Sequence, residues 1–159
     1  MAARGLVVAA LVSVAAAAVC AAPPARVEAL ADGDWSRLHA AVAAPAVVVF
    51  TTTDCAHCPA AIARLGAAVR QRGAGARLWV VVMDVPPGQD DAALLADAHH
   101  APADRLFAFA GEPARLRHQV NPAWRGVTPY VAWLAPAQAP RFVTGAPPEA
   151  EVRAWAAGR

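Results

Sequence analysis

Apolar residues along this chain form unbroken runs and helical stripes, which alternate in the way typical of an α/β domain. A continuous apolar run at 46–51 predicts a strand that is buried on both faces of a sheet, and a second apolar strand is predicted over 77–84. Between them, a helix is predicted over 60–72 by the spacing of Ile62, Leu65 and Val69. Strand, helix and strand joined by short links predict a right-handed parallel crossover.

Weaker patterns predict the flanking elements. A helix is predicted over 35–43 with Asp34 as its N-cap, and another from Asp90 to about His99. One or two helical turns are predicted within 113–120. A last helix is predicted after Pro147 and Pro148, with Val152 and Trp155 on its buried side. Strands at 127–134 and 141–144 are predicted to form a hairpin, with Pro129 allowed only at an edge, a bulge or a strand start. The apolar segment 106–109 is too short to assign to either class.

The first 22 residues have the pattern of a secretory signal. Arg4 is followed by a nearly unbroken apolar run over 5–19 and then by small residues. We therefore predict a signal segment at 1–22, cleaved after Ala21 or Ala22. An uncleaved N-terminal membrane anchor is the alternative.

The remaining chain is predicted to be a linker at 23–33 and a single domain at 34–158. Cys20 leaves with a cleaved signal, and a lipoprotein is disfavoured because Val19 is bulkier than the residue that lipid attachment prefers. The net charge of +2 gives no indication of a nucleic-acid partner, and the lack of lysine excludes lysine-based chemistry.

Two cysteines, Cys55 and Cys58, lie between the first buried strand and the helix that follows it. A helix N-terminus favours a thiolate, because its backbone N–H groups are unpaired and its dipole is positive. We expect both cysteines in the first turns of the helix, with Cys55 as the nucleophile. His57 is expected to stabilise the thiolate, and Asp54 to oppose it.

Other sites remain possible for these cysteines, namely an inert disulfide, half of a zinc site, or a copper site completed by His118. Zinc is disfavoured because there is no second cysteine pair. The other histidines are predicted to be solvated and not to bind metal; they are His39, His99 and His100. No metal or cofactor is assigned.

The strand, the Cys55-Ala56-His57-Cys58 segment, the helix, the second strand and a distant Thr128-Pro129 together resemble the thioredoxin superfamily. The resemblance implies a mixed sheet of about four to five strands flanked by helices. It also implies that Pro129 is cis and that the backbone of Thr128 lines a substrate groove.

Within that superfamily, the export signal and the single domain are most similar to periplasmic TlpA-like thiol–disulfide proteins. The Cys-x-His-Cys spelling is shared with the oxidising DsbA-like group. This chain differs from most members in having Asp54 where they have an aromatic residue, in having no acid in strand 46–51, and in having Pro59 directly after Cys58.

The resemblance implies an exported, monomeric thiol–disulfide oxidoreductase that acts through Cys55 and Cys58 on protein thiols and disulfides and on a redox partner in the periplasm. Two alternatives stay open. One is a copper-handling module similar to Sco-type proteins that uses Cys55, Cys58 and His118. The other is a non-catalytic adaptor. The direction of the redox reaction does not follow from the sequence.

Overall fold

The computed structural model describes residues 22–73 and 75–159. In these residues six strands and five helices follow one another along the chain. Their order is β1 (Val27–Leu30), α1 (Asp34–Ala40), β2 (Ala46–Thr51), α2 (Cys58–Arg72), β3 (Arg77–Val82), α3 (Asp91–Ala96), β4 (Arg105–Phe109), α4 (Pro113–Val120), β5 (Tyr130–Leu134), β6 (Arg141–Thr144) and α5 (Glu149–Ala156).

The strands form one mixed sheet in the order β1-β4-β3-β2-β5-β6. The four strands from β1 to β2 run parallel, and β5 and β6 are antiparallel to their neighbours. The C-terminal end of β2 therefore lies beside the N-terminal end of β5, where Phe50 pairs with Tyr130. The segments that follow Thr51 and precede Tyr130 meet at this end of the sheet.

Strand β2 is fully buried because helices cover both faces of the sheet. Successive side chains of a strand point to opposite faces. Val47 and Val49 accordingly pack in a core with α2 and α5, whereas Val48 and Phe50 pack in a second core with α1 and α4. All four side chains are completely shielded from solvent, which explains why this strand is apolar without alternation.

The predicted α/β class, the central strands and the helices that flank them are confirmed, but the sheet has six strands instead of four to five. The segment 106–109, which is too short to assign from its sequence alone, belongs to strand β4. Strand β1 lies within the predicted linker 23–33 and pairs with β4 at the edge of the sheet. The middle of that segment is therefore not a linker.

Several predicted boundaries also change. Helix α1 ends at Ala40, and its N-cap is Gly33 rather than Asp34. Asp34 is the first helical residue, and its carboxylate accepts a hydrogen bond from the backbone N–H of Ala31 at 2.7 Å. Helix α3 ends at Ala96, so that His99 lies in the turns that follow it. Strand β5 begins only at Tyr130, directly after Pro129.

The predicted signal segment lies outside the described residues, apart from its last residue, Ala22. The same holds for Cys20 and for the predicted cleavage after Ala21. Among the residues that the structure describes, no helix has the length and apolar character needed to cross a membrane.

Candidate functional site

Cys55 and Cys58 are joined by a disulfide at the start of α2, with their Cα atoms 5.4 Å apart. Helix α2 begins at Cys58, with His57 as its N-cap and Pro59 in its first turn. A proline is tolerated there because the N–H that it lacks would have no partner within the helix. Cys55 lies three residues before the helix, so the prediction that it belongs to the first helical turn is wrong.

The two sulfur-bearing residues differ in exposure. Cys58 is 1% exposed and packs in the core with Ile62 and Leu65 of the same helix. Cys55 is only partly buried. The backbone N–H of Cys58 donates to the carbonyl of Cys55 at 3.2 Å, which closes a tight turn over the intervening Ala56 and His57. A partner can therefore reach Cys55 but not Cys58.

Asp54 and His57, the predicted redox-tuning residues, are both exposed. The imidazole of His57 makes no capping hydrogen bond to α2. Water screens charges at such positions, so each residue acts on Cys55 only at short range and across high dielectric. Their tuning role stays a prediction.

The loop before Cys55 is attached to the end of β3 through Thr53 and Asp84. The Asp84 carboxylate accepts two hydrogen bonds from the Thr53 N–H, at 2.9 and 3.1 Å, and one from the Thr53 hydroxyl at 2.5 Å. Asp84 follows β3 in sequence. The carboxylate thereby links the ends of two adjacent parallel strands and positions the dithiol loop relative to the sheet.

The peptide bond between Thr128 and Pro129 is cis. Pro129 is buried and Thr128 is partly exposed. Tyr130 pairs with Phe50, so that Pro129 and Thr51, the adjoining residues of the two strands, lie at the same end of the sheet. This end also carries the disulfide.

Aromatic packing supports the Thr128–Pro129 loop from behind. Trp124 is buried and stacks on Tyr130, with ring centroids 4.2 Å apart and planes 8° from parallel. Its indole N–H donates to the carbonyl of Val127 at 3.0 Å. The Val127 side chain itself is 51% exposed, and among the described residues it is the one large apolar side chain left exposed.

A small cavity of about 40 Å³ lies behind the disulfide. Both cysteines line it, together with Thr51 and Ile62 and with the exposed His99 and the buried His100 from the segment after α3. The prediction that His100 is solvated is therefore wrong.

The remaining histidines lie elsewhere. His39 is half-buried, and its Nε2 donates to the carbonyl of Gln138 at 2.8 Å. His118 is exposed on α4, which packs on the face of the sheet opposite to α2. The sheet thus separates His118 from the dithiol, and the predicted copper site with Cys55, Cys58 and His118 is not formed. No group of three or more potential metal ligands occurs within residues 22–73 and 75–159.

The sequence matches no protein-family model and no curated protein. Solved structures do resemble it. One is a secreted Mycobacterium tuberculosis disulfide oxidoreductase homologous to E. coli DsbE, at 17% identity, with 73% of this chain and 82% of that chain covered and a TM-score of 0.50. Another is the reduced N-terminal domain of PilB from N. meningitidis, at 15% identity, with 77% and 85% covered and a TM-score of 0.53. A third is MTB dsbF, at 13% identity, with 74% and 81% covered and a TM-score of 0.50.

The chain has the thioredoxin fold. The resemblance inferred from the Cys-x-x-Cys segment and Thr128-Pro129 is confirmed at the level of the fold. Within this thioredoxin fold, the disulfide lies at the N-terminus of α2, as the sequence predicted.

Sequence reasoning missed three residues of the site, namely Asp84, Trp124 and His100. Asp84 ends a buried strand next to the strand that leads to Cys55, and this parallel arrangement is a signal that could have identified it. Trp124 lies in a polar segment between Asn121 and Gly126, where an isolated tryptophan is a signal of packing. His100 carried no signal that distinguished it from the exposed His99.

Proposed function

We propose that this chain is an exported protein thiol–disulfide oxidoreductase. The observation that carries the proposal is the disulfide between a partly exposed Cys55 and a buried Cys58 at the start of α2. A crosslink between residues three apart closes too short a loop to stabilise the fold by chain entropy, which favours a chemical role. Further support comes from a solved structure of the same fold, which is a secreted disulfide oxidoreductase.

In the reductive direction, the Cys55 thiolate attacks one sulfur of a substrate disulfide. A bond forms between Cys55 and that sulfur, the substrate disulfide breaks, and one substrate thiolate leaves. The Cys58 thiolate then attacks the Cys55 sulfur and releases the second substrate thiolate. The chain is oxidised to the Cys55–Cys58 disulfide, and the substrate has gained two electrons. The oxidative direction is the exact reverse.

We infer that the Thr128–Pro129 loop contacts the partner. It lies at the end of the sheet that carries the dithiol, and Thr128 and Val127 are accessible there. An exposed apolar side chain next to accessible backbone suits an extended peptide, which pairs through its main chain and places side chains against the surface. The partners are therefore proteins that carry a thiol or a disulfide, together with a redox partner that restores the starting form.

Export to the periplasm rests on the pattern of residues 1–22, and a retained segment would anchor the protein in the inner membrane. Mass spectrometry of the protein recovered from the periplasm tests it. A mature N-terminus at Ala22 or Pro23 supports cleavage. An intact Met1 in a soluble cytoplasmic protein contradicts export.

Equilibration with glutathione buffers tests the activity. We expect a reversible two-electron couple between about −300 and −100 mV, the range of known thiol–disulfide proteins of this kind. A dithiol that shows no reversible couple in this range contradicts the proposal.

A trapping experiment identifies partners and direction. The Cys58→Ser variant retains the accessible nucleophile but not the thiol that resolves the complex, so mixed disulfides should accumulate on Cys55. Cys55→Ser is the matched control and should trap nothing, because Cys58 is 1% exposed. Equal trapping by both variants contradicts the assigned roles.

A further inference from the structure

The cavity behind the disulfide is built from a mixture of polar and apolar groups. Its volume of about 40 Å³ exceeds what one water molecule needs. Its wall is formed by three consecutive threonines, both cysteines, the start of α2, the end of β3 and the segment after α3. The lining residues that can take up or release a proton, apart from the cysteines, are Asp97, His99 and His100.

Tight turns after α3 bring His100 into this wall. The backbone N–H of His100 donates to the carbonyl of Asp97 at 3.0 Å, and the N–H of Ala103 donates to the carbonyl of His100 at 2.9 Å. The ring Nδ1 lies 2.8 Å from the carbonyl oxygen of Leu94. The residue is only 6% exposed.

The hydrogen bond to Leu94 determines the state of the imidazole. A carbonyl oxygen only accepts, so Nδ1 carries the proton and donates it. In the neutral ring Nε2 is then a lone-pair acceptor, that is, a base. Nε2 has no hydrogen-bond partner among residues 22–73 and 75–159. Nε2 is not among the side-chain atoms that are both buried and unsatisfied, so it is accessible to water, for which the cavity has room.

Cys58 needs such a base. Cys58 is 1% exposed in the disulfide form, so bulk water has almost no direct access to its sulfur. Strand β2, which precedes the dithiol, contains only apolar residues and Thr51, so it supplies no acid or base. Asp97 and His99 lie at the wall of the cavity but contact each other, with His99 Nδ1 3.0 Å from the Asp97 carboxylate, and the His99 side chain is 58% exposed. Asp84 is exposed and engaged by Thr53. The buried titratable group at the cavity is His100.

We propose that His100 exchanges the proton of Cys58 through water in this cavity, an inference that rests on the proposed oxidoreductase function. In the reductive direction, the Cys58 S–H bond breaks, its proton passes through water to Nε2, and the thiolate keeps the electron pair. The thiolate attacks the Cys55 sulfur, the mixed disulfide breaks, and the substrate thiolate leaves. The imidazolium then returns its proton to solvent. In the reverse direction it protonates the departing Cys58 thiolate.

The step can be observed with the reduced protein and 5,5′-dithiobis(2-nitrobenzoate) in a stopped-flow instrument. Cys55 attacks the reagent and releases one coloured thiolate. Cys58 then attacks the mixed disulfide and releases the second. The first release reports Cys55 and the second reports Cys58, so one trace contains both rates. The wild-type trace tests the underlying dithiol chemistry separately, because cysteines that cannot form the Cys55–Cys58 disulfide give no second release.

His100→Asn is the informative variant, because its amide occupies the position of Nδ1 and retains the donor to Leu94 but not the base at Nε2. We expect the second release to slow by roughly tenfold or more near neutral pH, since general acid–base catalysis contributes roughly 10²–10⁴-fold. The deficit should shrink as the pH rises, because hydroxide then takes the proton of the thiol without the help of a base. The first release should be unchanged. His99→Gln is the matched control and should leave both releases as in the wild type.

Two outcomes of the stopped-flow experiment overturn the proposal. One is a second release by His100→Asn at the wild-type rate, and the other is a slowing by the same factor at every pH, which indicates a structural role. If His100→Asn does not fold, His100→Gln is the substitute. Its amide reaches the position of Nε2 and is not a base, so it tests the same step. If neither folds, the ring of His100 in the reduced wild type can be followed by nuclear magnetic resonance. A ring that does not titrate over the pH range in which the second release accelerates overturns the proposal.

Discussion

Gly66 of α2 and Pro102, two residues after His100, approach so closely that no side chain fits between them. A Cβ atom at Gly66 would lie 2.8 Å from the Cβ of Pro102. Contacts this short do not occur between real carbon atoms, and Pro102 is a rigid ring that cannot rotate away. The glycine therefore sets the separation between the helix that carries Cys58 and the segment that carries His100.

The Gly66→Ala substitution should destabilise the protein. In an ordinary helix interior, alanine is more favourable than glycine by about 1 kcal/mol. Overpacking against Pro102 costs about 1–3 kcal/mol, so we expect a net loss of about 1 kcal/mol in the free energy of unfolding. Urea denaturation measures it. Gly111→Ala is the control, because its new Cβ would meet Leu116 at an ordinary 3.5 Å. A Gly66→Ala variant as stable as the wild type contradicts the close approach.

Removing the Asp84 carboxylate should loosen the loop before Cys55. Asp84→Ala takes away the acceptor of three hydrogen bonds from Thr53. We expect the amide hydrogen of Thr53 to exchange about tenfold faster, which corresponds to about 1.4 kcal/mol of local stability. Asp90→Ala is the control, because Asp90 is exposed and makes no hydrogen bond to this loop within the described residues. Unchanged exchange at Thr53 argues against the anchor.

The edge strand β1 should depend on an ion pair with a defined pH response. Arg105 donates to both carboxylate oxygens of Glu28, at 2.8 and 2.7 Å, and these bonds hold the pKa of Glu28 below its ordinary value against the opposing effect of burial. A lowered folded pKa adds stability above the unfolded value of about 4.3, and the gain disappears as the pH falls through the folded value.

We therefore expect Glu28→Gln to lower the free energy of unfolding by about 1 kcal/mol at neutral pH, a modest figure because Arg105 is partly exposed. The deficit should vanish in acid, once Glu28 is protonated in both states. Glu149→Gln is the control, since Glu149 pairs with Arg153 on the surface at 70% exposure. A deficit that is the same at every pH would show that charge is not involved.

Tyr130 is the sole tyrosine of the chain, so its ionisation can be followed by phenolate absorbance without labelling. Burial raises the pKa of Tyr130 above its ordinary value of 10.0, and the hydrogen bond from the Asn121 amide at 2.7 Å acts in the opposite direction. We expect a midpoint above 10 in the folded protein and a higher midpoint in Asn121→Ala.

The same shift has a consequence for stability. The neutral phenol is favoured in the folded state, so its contribution is complete below the unfolded value of about 10 and is lost as the pH rises through the folded value. A midpoint at or below 10 in the native protein would contradict the burial of this side chain behind the Thr128–Pro129 loop. Gln138→Ala, on the far side of the β5–β6 hairpin, should leave the midpoint unchanged.

The elements with strong local patterns were predictable, and those that depend on distant partners were not. Strand β2 and helix α2 follow from apolar runs and spacing within a few residues. Strand β1 has four residues, one of them Glu28, and it exists because β4 lies beside it from far along the chain. Short edge strands of this kind carry almost no local signal.

The same reasoning applies to the site. The sequence motif and the order of the elements were enough to predict the positions of Cys55, Cys58, Thr128 and Pro129. Covalent chemistry and backbone constraints restrict which residue types can stand at such positions. His99 and His100 could not be separated, since they share one segment and differ only in how the turns after α3 direct them. Burial of one and exposure of the other is a tertiary result that no periodicity encodes.

In the proposed reaction, the unequal exposure of Cys55 and Cys58 also determines how complexes with partners end. Every partner forms its covalent bond at the same sulfur, and the bond is broken from inside the protein by a thiol that is already part of the complex. Release is therefore a first-order event whose rate does not depend on the concentration of any thiol in solution. The lifetime of each complex is then set by this internal attack and by the acidity of the partner's leaving thiol, and not by the abundance of the partner.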